Sequence, residues 1–308
     1  MHDLRALVDL GRALKESGYA FVTVSPETHR RVEARAAGAG RATAQSLRDV
    51  FGWSRPFNPA LLPAGLMDLA RAAAVLEVEG ALLRSTVRFS TLGRDLFVHS
   101  AYPTLAAGAV FFGPDTYRFC DLVRAHVAGA SRAVDVGCGS GAGGIVAADH
   151  AERVVLADVN RAALAFADVN ATLAGVARKV ETVESDVLAG VTGPIDLVIA
   201  NPPYMLDGAS RTYRDGGGKL GEGLAVRIVR EALARLEPGG RLVLYTGAPV
   251  VEGVDVFLEA VRGVCVEAHA AWRYWEIDPD VFGEEIEQNH AYAAVERIAA
   301  VALIATVP

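Results

Sequence analysis

Ala133-Val-Asp-Val-Gly-Cys-Gly-Ser-Gly-Ala-Gly-Gly144 is the stretch whose reading decides the fold. Ala133, Val134 and Val136 make a short buried strand with one acid, Asp135, inside it. Gly137, Gly139 and Gly141 then form a turn that no Cβ obstructs, so the backbone can bend sharply and approach a ligand. An apolar helical segment follows. Strand, glycine turn and helix in that order open a doubly wound α/β sheet.

Downstream of this opening, apolar strands alternate with helical segments. Strands are expected at 133–136, 153–157, 179–183, 195–200, 241–246, 264–272 and 291–305. They predict an α/β fold with a seven-stranded, doubly wound Rossmann-like sheet and a late antiparallel edge. Upstream, residues 3–16 are amphipathic, Ser25-Pro26 opens a helix to about 37, and a third helix runs from Leu66 to Val78. The Arg- and Ala-rich stretch from Val32 to Leu47 has one polar face, which reads as a solvated helix surface first and as a contact for an anionic substrate second. Thr86-Val-Arg-Phe-Ser-Thr and Asp95-Leu-Phe-Val-His-Ser alternate with period two around Leu92-Gly93-Arg94, which predicts a β-hairpin. A helix then opens at Asp115 or Thr116 and runs to about His126. The expected organisation is a helical recognition domain (1–84), a hairpin connector (85–108) and a catalytic domain (109–308).

Composition excludes several classes. No run of 18 apolar residues is present, so no membrane span is expected, and no apolar signal core follows the start; the cytoplasm fits. The formal charge is −7 and Lys15, Lys179 and Lys219 are the only lysines, so no dense basic footprint favours nucleic acid. Cys120, Cys138 and Cys265 have neither CxxC spacing nor neighbours that would form a metal site, so no metal is expected. A lone histidine such as His99 reads as a satisfied or surface residue, and Trp272, Tyr274 and Trp275 read as packing.

Gly139–Gly144 also satisfies GxGxxG, a pattern that is weak by itself. Three acids add to it. Asp135 precedes the glycine turn, Asp158 closes the next strand, and Asp186 follows the third. Asp158, with Val159 beside it, is placed to bind two ribose hydroxyls. Asp186, with Val187, is placed to reach an adenine amine. A dinucleotide needs a helix N-terminus for its pyrophosphate. Three carboxylates around a glycine turn built from Gly137, Cys138, Gly139 and Gly141 suit a phosphate-free adenosyl ligand instead.

A second motif, Asn201-Pro-Pro-Tyr204, ends the buried strand Asp196-Leu-Val-Ile-Ala beside the expected switch point. The Asn201 side-chain carbonyl and the Pro202 carbonyl can accept both hydrogens of a planar NH2 group. Pro202 and Pro203 stiffen the backbone that carries these acceptors. Tyr204 can stack on a planar amide or face a cationic centre.

With these residues in view, the chain resembles the class I S-adenosylmethionine (SAM) dependent methyltransferases that carry this Asn-Pro-Pro-Tyr motif. The resemblance is strongest to the release-factor glutamine methyltransferases and covers roughly residues 86–305. It implies SAM as cofactor, Asp135, Gly137, Cys138, Gly139, Gly141, Asp158, Val159, Asp186, Val187 and Asn201 around it, and Asn201, Pro202, Pro203 and Tyr204 at the acceptor. In that family Arg-Pro-Glu-Thr opens the helix before the first Rossmann strand; here it is Gly113-Pro-Asp-Thr116. The stretch Arg211-Thr-Tyr-Arg-Asp-Gly-Gly-Gly-Lys-Leu-Gly-Glu-Gly223 is longer and richer in glycine than the family leads one to expect. It reads either as a lid, with Gly216, Gly217 and Gly218 as hinges and Tyr213, Arg214 and Asp215 meeting the acceptor, or as a surface loop capping the next helix. Tyr102 and Phe112 line the same cleft or pack beneath it.

The leading expectation is methyl transfer from SAM to a nitrogen, on a small molecule or a protein side-chain amide, with a nucleobase third. Two other readings stay open. SAM itself is the substrate, its aminocarboxypropyl chain cyclising with release of methylthioadenosine; or the chain binds SAM without turnover. The acceptor and the oligomeric state are not legible in the sequence.

Overall fold

The computed structural model describes residues 2–207 and 213–308. Helices α1 (Leu4–Glu16), α2 (Pro26–Gly38), α3 (Leu47–Phe51) and α4 (Ala64–Ala72) come first, each but the last opened by a side-chain cap from Asp3, Ser25 or Ser46. Two hairpins follow, β1 (Leu76–Glu79) with β2 (Leu82–Ser85) and β3 (Val87–Leu92) with β4 (Asp95–Ser100). The second is the expected one. The first falls where the sequence predicted the end of a helix, because α4 stops at Ala72 and Val75 turns the chain into extended β1.

Then come α5 (Pro114–His126), β5 (Ala130–Val136), α6 (Ala142–Ala147), β6 (Ala151–Asp158), α7 (Arg161–Leu173), β7 (Val180–Glu184) and β8 (Leu197–Ala200). The chain continues with α8 (Gly223–Arg235), β9 (Arg241–Val251), the two-residue β10 (Val254–Asp255), α9 (Val256–Glu267), β11 (Ala271–Asp278), α10 (Gly283–Gln288) and β12 (Arg297–Thr306). The strand expected at 264–272 is a correction: Val264 and Cys265 belong to α9, capped by Asp255, and the strand begins only at Ala271. Its apolar run was the buried stripe of a helix, which a short window does not distinguish from a strand.

The main sheet has the order β11-β12-β9-β8-β5-β6-β7, with β12 antiparallel to both neighbours and β10 appended to β9. Successive residues of each central strand face opposite layers. Ala133, Leu156, Ile199, Val243 and Tyr245 join α5, α6 and part of α7 in one core. Val134, Val136, Val155, Val198, Leu244 and Leu303 join α8 and α9 in the other.

The N-terminal helices and the β3–β4 hairpin share a third core, completed by Ala163, Phe166 and Val169 of α7. Asn170, also on α7 and fully buried, ties the parts together. Its Oδ1 accepts the Val98 N–H at 2.7 Å, and its Nδ2 donates to the carbonyls of Val98 and Ser140, each at 2.9 Å. His99 is buried and satisfied on both ring nitrogens by Ser90 and Ser100. Phe112 packs against Phe97, His99 and Tyr117 in the interior, and Trp272 and Tyr274 pack against the α8–α9 layer.

Candidate active site

The strand order reverses between β5, which is followed by β6, and β8, so the carboxyl ends of these strands open into one cleft. Gly137, Cys138, Gly139 and Ser140 border it, with Asp158 and Val159 from the end of β6 and Asn201, Pro202 and Pro203 from the end of β8. Asp135, Asp186 and Val187 line it as well. Gly141 stands behind the loop with φ +77°, and a Cβ there would come within 3.0 Å of Ala167 and Leu156, so it fixes how closely the loop sits on α7.

Asp135 is buried and its Oδ2 accepts the Gly144 N–H at 2.7 Å. Burial pushes its carboxyl up to about 7; the Gly144 N–H opposes the shift and Asp158 adds to it. Asp158 accepts the Gly139 N–H at 2.9 Å on one oxygen and the Asn160 N–H at 2.8 Å on the other. Each oxygen keeps a second lone pair, so the carboxylate is held in place yet can still accept hydroxyl hydrogens. Val159, half exposed, offers an apolar face next to it.

Asp186 differs from its sequence-based role in one respect. It is exposed, and Arg227 on α8 grips both its oxygens, at 2.8 and 2.9 Å, so any amine that it accepts shares the carboxylate with a guanidinium. Val187 has φ +50°, a strained conformation for a β-branched residue, and lies buried at the rim of the cleft. The Ser185 hydroxyl holds that turn by donating to the Val187 carbonyl and accepting the Gly190 N–H.

The lining therefore carries three carboxylates and, among the described residues, no lysine or arginine. A pyrophosphate would meet repulsion here. A ligand with a ribose diol, an apolar flat base and a positively charged amino-acid arm meets acceptors and Val159 instead. SAM fits these residues; a nicotinamide or flavin dinucleotide does not.

On the acceptor side, Asn201 lines the cleft and its amide has no protein hydrogen-bond partner among the described residues. Tyr204 is a correction to the stacking role read from the motif. Its ring is buried, with its hydroxyl donating to Asp115 Oδ2, and it does not border the cleft. Gly247 on β9 makes room for the ring, since a Cβ there would lie 2.2 Å from it. Asp115, in the first turn of α5, also accepts the Tyr245 hydroxyl at 2.7 Å and pairs with Arg118 at 3.3 Å. Burial and the Asp115 charge hold both phenols protonated, well above their usual range. Sequence reasoning passed over this cluster: Asp115 was only the acid of Gly-Pro-Asp-Thr, and Tyr245 looked like one more apolar strand residue.

Flat side chains do reach the cleft, but they are Phe111 and Tyr213, stacked at 5.9 Å with 9° between their planes. The Tyr213 hydroxyl donates to the Thr104 carbonyl at 2.6 Å. Phe111 is the neighbour of the predicted Phe112, and Tyr102 lies in the N-terminal part instead. Of the loop 211–223, Arg211 and Thr212 fall outside the described residues. The remainder is laced to the Asn-Pro-Pro-Tyr segment, with Met205 N donating to the Arg214 carbonyl, Gly216 N to Met205 and Leu224 N to Gly216. Glu222 accepts the Lys219 and Leu220 N–H groups within the loop, and its side chain makes no cap to α8.

Among the described residues no helix is long and apolar enough to cross a membrane, and no cluster suits a metal ion. Residues 121–251 match the sequence profile of the methyltransferase small domain. The chain is 39% identical over 167 residues to the release factor glutamine methyltransferase of Deinococcus radiodurans, covering 50% of this chain and 55% of that protein. It is 37% identical over 117 residues to the ribosomal RNA small subunit methyltransferase C of Chromohalobacter salexigens, covering 38% and 32%. The chain thus spans about half, or less, of the curated relatives it matches. Among solved structures, Trm5b from Pyrococcus abyssi superposes with a TM-score of 0.52 at 18% identity, over 80% of this chain and 71% of that one, a likeness of fold. The matched stretch, residues 121–251, holds the glycine loop, the acids and Asn201.

Proposed function

We propose that the protein transfers the methyl group of SAM to a planar nitrogen, an amide on a protein side chain or small molecule, held at Asn201. The observation that carries this reading is that Asp135, Asp158 and Asn201 line one cleft with no cationic side chain among its described residues. Asp158 holds the ribose diol. The Asn201 amide oxygen and the Pro202 carbonyl accept the two hydrogens of the acceptor NH2, which turns its lone pair toward the donor and favours the positive charge that grows on nitrogen. SAM supplies a methyl on a sulfonium that is already reactive, so alignment does most of the work and no general base is needed before transfer. Phe111 and Tyr213 form a flat wall suited to a planar acceptor.

The relatives named above act on a release-factor glutamine and on ribosomal RNA. A cleft lined by carboxylates with no cationic side chain among its described residues, and a formal charge of −7, favour the amide over the nucleobase. Incubation with methyl-labelled SAM and cell extract tests the reading. Label retained in protein or in a small amide supports it. Methylthioadenosine formed without extract overturns it. Asn201→Ala is expected to lower turnover by at least about 100-fold, the scale of losing one preorganised polar contact in a transition state, while SAM binding changes little. Normal turnover in this variant would remove Asn201 from the mechanism.

A further inference from the structure

Pro202 and Pro203 carry the turn after β8 but have no N–H with which to tie it down. Two bonds downstream hold it instead. The Tyr204 hydroxyl donates to Asp115 Oδ2, and the Met205 N–H donates to the Arg214 carbonyl at 3.1 Å. The second partner lies in a loop. The first lies in the opening turn of α5, a helix that packs on α6 and β9.

Three donors converge on Asp115, which is buried. Besides the Tyr204 hydroxyl on Oδ2, the Tyr245 hydroxyl reaches Oδ1 at 2.7 Å. Arg118, one turn further along α5, brings the compensating charge to 3.3 Å and gives its other arm to Asp278 at the end of β11. Apolar side chains of the same volume would fill this space without desolvating a charge. Packing alone sets how deep a ring lies; a hydrogen bond to an oxygen fixed on a helix also sets the direction of its tip.

The two phenols differ in what they carry. Tyr245 is in mid-strand, opposite Ala302 in the β9–β12 ladder, and its backbone needs no further anchor. Tyr204 has left β8, which ends at Ala200, and its hydroxyl is where the acceptor turn meets the helix.

We propose that Asp115 is a positioning residue: through the Tyr204 hydroxyl it sets where the Asn201 amide and the Pro202 carbonyl stand in the cleft, and with them the alignment of the acceptor nitrogen. The alignment of that nitrogen rests on the proposed function; the bracing of the turn does not.

Asp115→Ala, Tyr204→Phe and Tyr245→Phe test this in the full chain. Three quantities are measured: label transferred from methyl-labelled SAM to a cell extract, SAM affinity by equilibrium dialysis, and amide hydrogen exchange of the turn. Tyr204→Phe keeps the ring in its slot and removes one bond, so transfer is expected to fall about 10-fold. Asp115→Ala is expected to cost about 100-fold, the scale of a displaced reacting group. In both, SAM affinity stays within about twofold, and exchange quickens at Tyr204 and Met205 but not along β5. The double variant is no worse than Asp115→Ala alone, since both changes act through one bond.

Tyr245→Phe takes a bond from the same carboxylate without touching the turn. A residue that served stability alone would make the two Tyr→Phe variants alike, whereas positioning leaves Tyr245→Phe with a loss below about threefold. Should Asp115→Ala fail to fold, the comparison of the two Tyr→Phe variants decides. Equal losses in that pair, normal transfer in Tyr204→Phe, or unchanged exchange in the turn overturns the proposal. A wild type that transfers no label, with exchange responding as described, would overturn the proposed function and leave the bracing of the turn standing.

Discussion

Asp135 shows how a single residue can serve two states. It is fully enclosed, it braces the glycine loop through Gly144, and its carboxyl is pushed up to about 7. In the unfolded chain the same carboxyl titrates near the usual 3.8. Between those two values the folded state holds the proton and the unfolded state has released it. Rising pH therefore lowers the stability of the ligand-free chain across this window, and the contribution is flat above it. Urea unfolding from about pH 4.5 to 8 is expected to show this fall, and Asp135→Asn to reduce its slope. An unchanged slope in the variant would mean that other carboxyls, Asp158 first among them, set the dependence.

At the scale of elements, strand ends were easier to read than helix faces. The order of residues at the ends of β5, β6 and β8 was legible because each motif sits where an apolar strand stops, and a strand stop is a local event. The end of α9 and the β1–β2 hairpin were not legible, since their apolar spacing is shared by the alternative element. Orientation was the other blind spot. Asn201 and Tyr204 belong to one motif, yet one lines the cleft and the other is drawn beneath it by Asp115, which arrives from α5. Phe111 and Tyr213 meet only because the connector and the loop before α8 converge. Arg227 was invisible for the same reason. It lies one element beyond the acid it grips. Its pair with Asp186 is largely exposed, so Arg227→Ala is expected to cost at most about 1 kcal/mol in stability. Freed of that grip, Asp186 accepts the adenine amine, and equilibrium dialysis is expected to give SAM affinity about threefold tighter, a difference well under 1 kcal/mol. Weaker binding would show that Arg227 orients Asp186 rather than competing for it.

The molecule as a whole is joined through α7. One face of this helix packs under the glycine loop, while Ala163, Phe166 and Val169 close the core of the N-terminal helices. Phe166→Ala is expected to destabilise the protein by about 3–5 kcal/mol, as removal of a buried aromatic does. Because the helix belongs to both cores, wild type is expected to unfold in one transition by near-ultraviolet and far-ultraviolet dichroism alike. Two separated transitions would divide the chain into independent folding units. Asn170 gives this union a sharper form. One amide group bonds the backbone of β4 with one hand and the Ser140 carbonyl of the cofactor loop with the other. Whatever stiffens the hairpin also stiffens the cradle, and by thermodynamic reciprocity the reverse holds in equal measure. Two ligands that never touch would then greet each other through a single side chain, the first to arrive raising the affinity for the second.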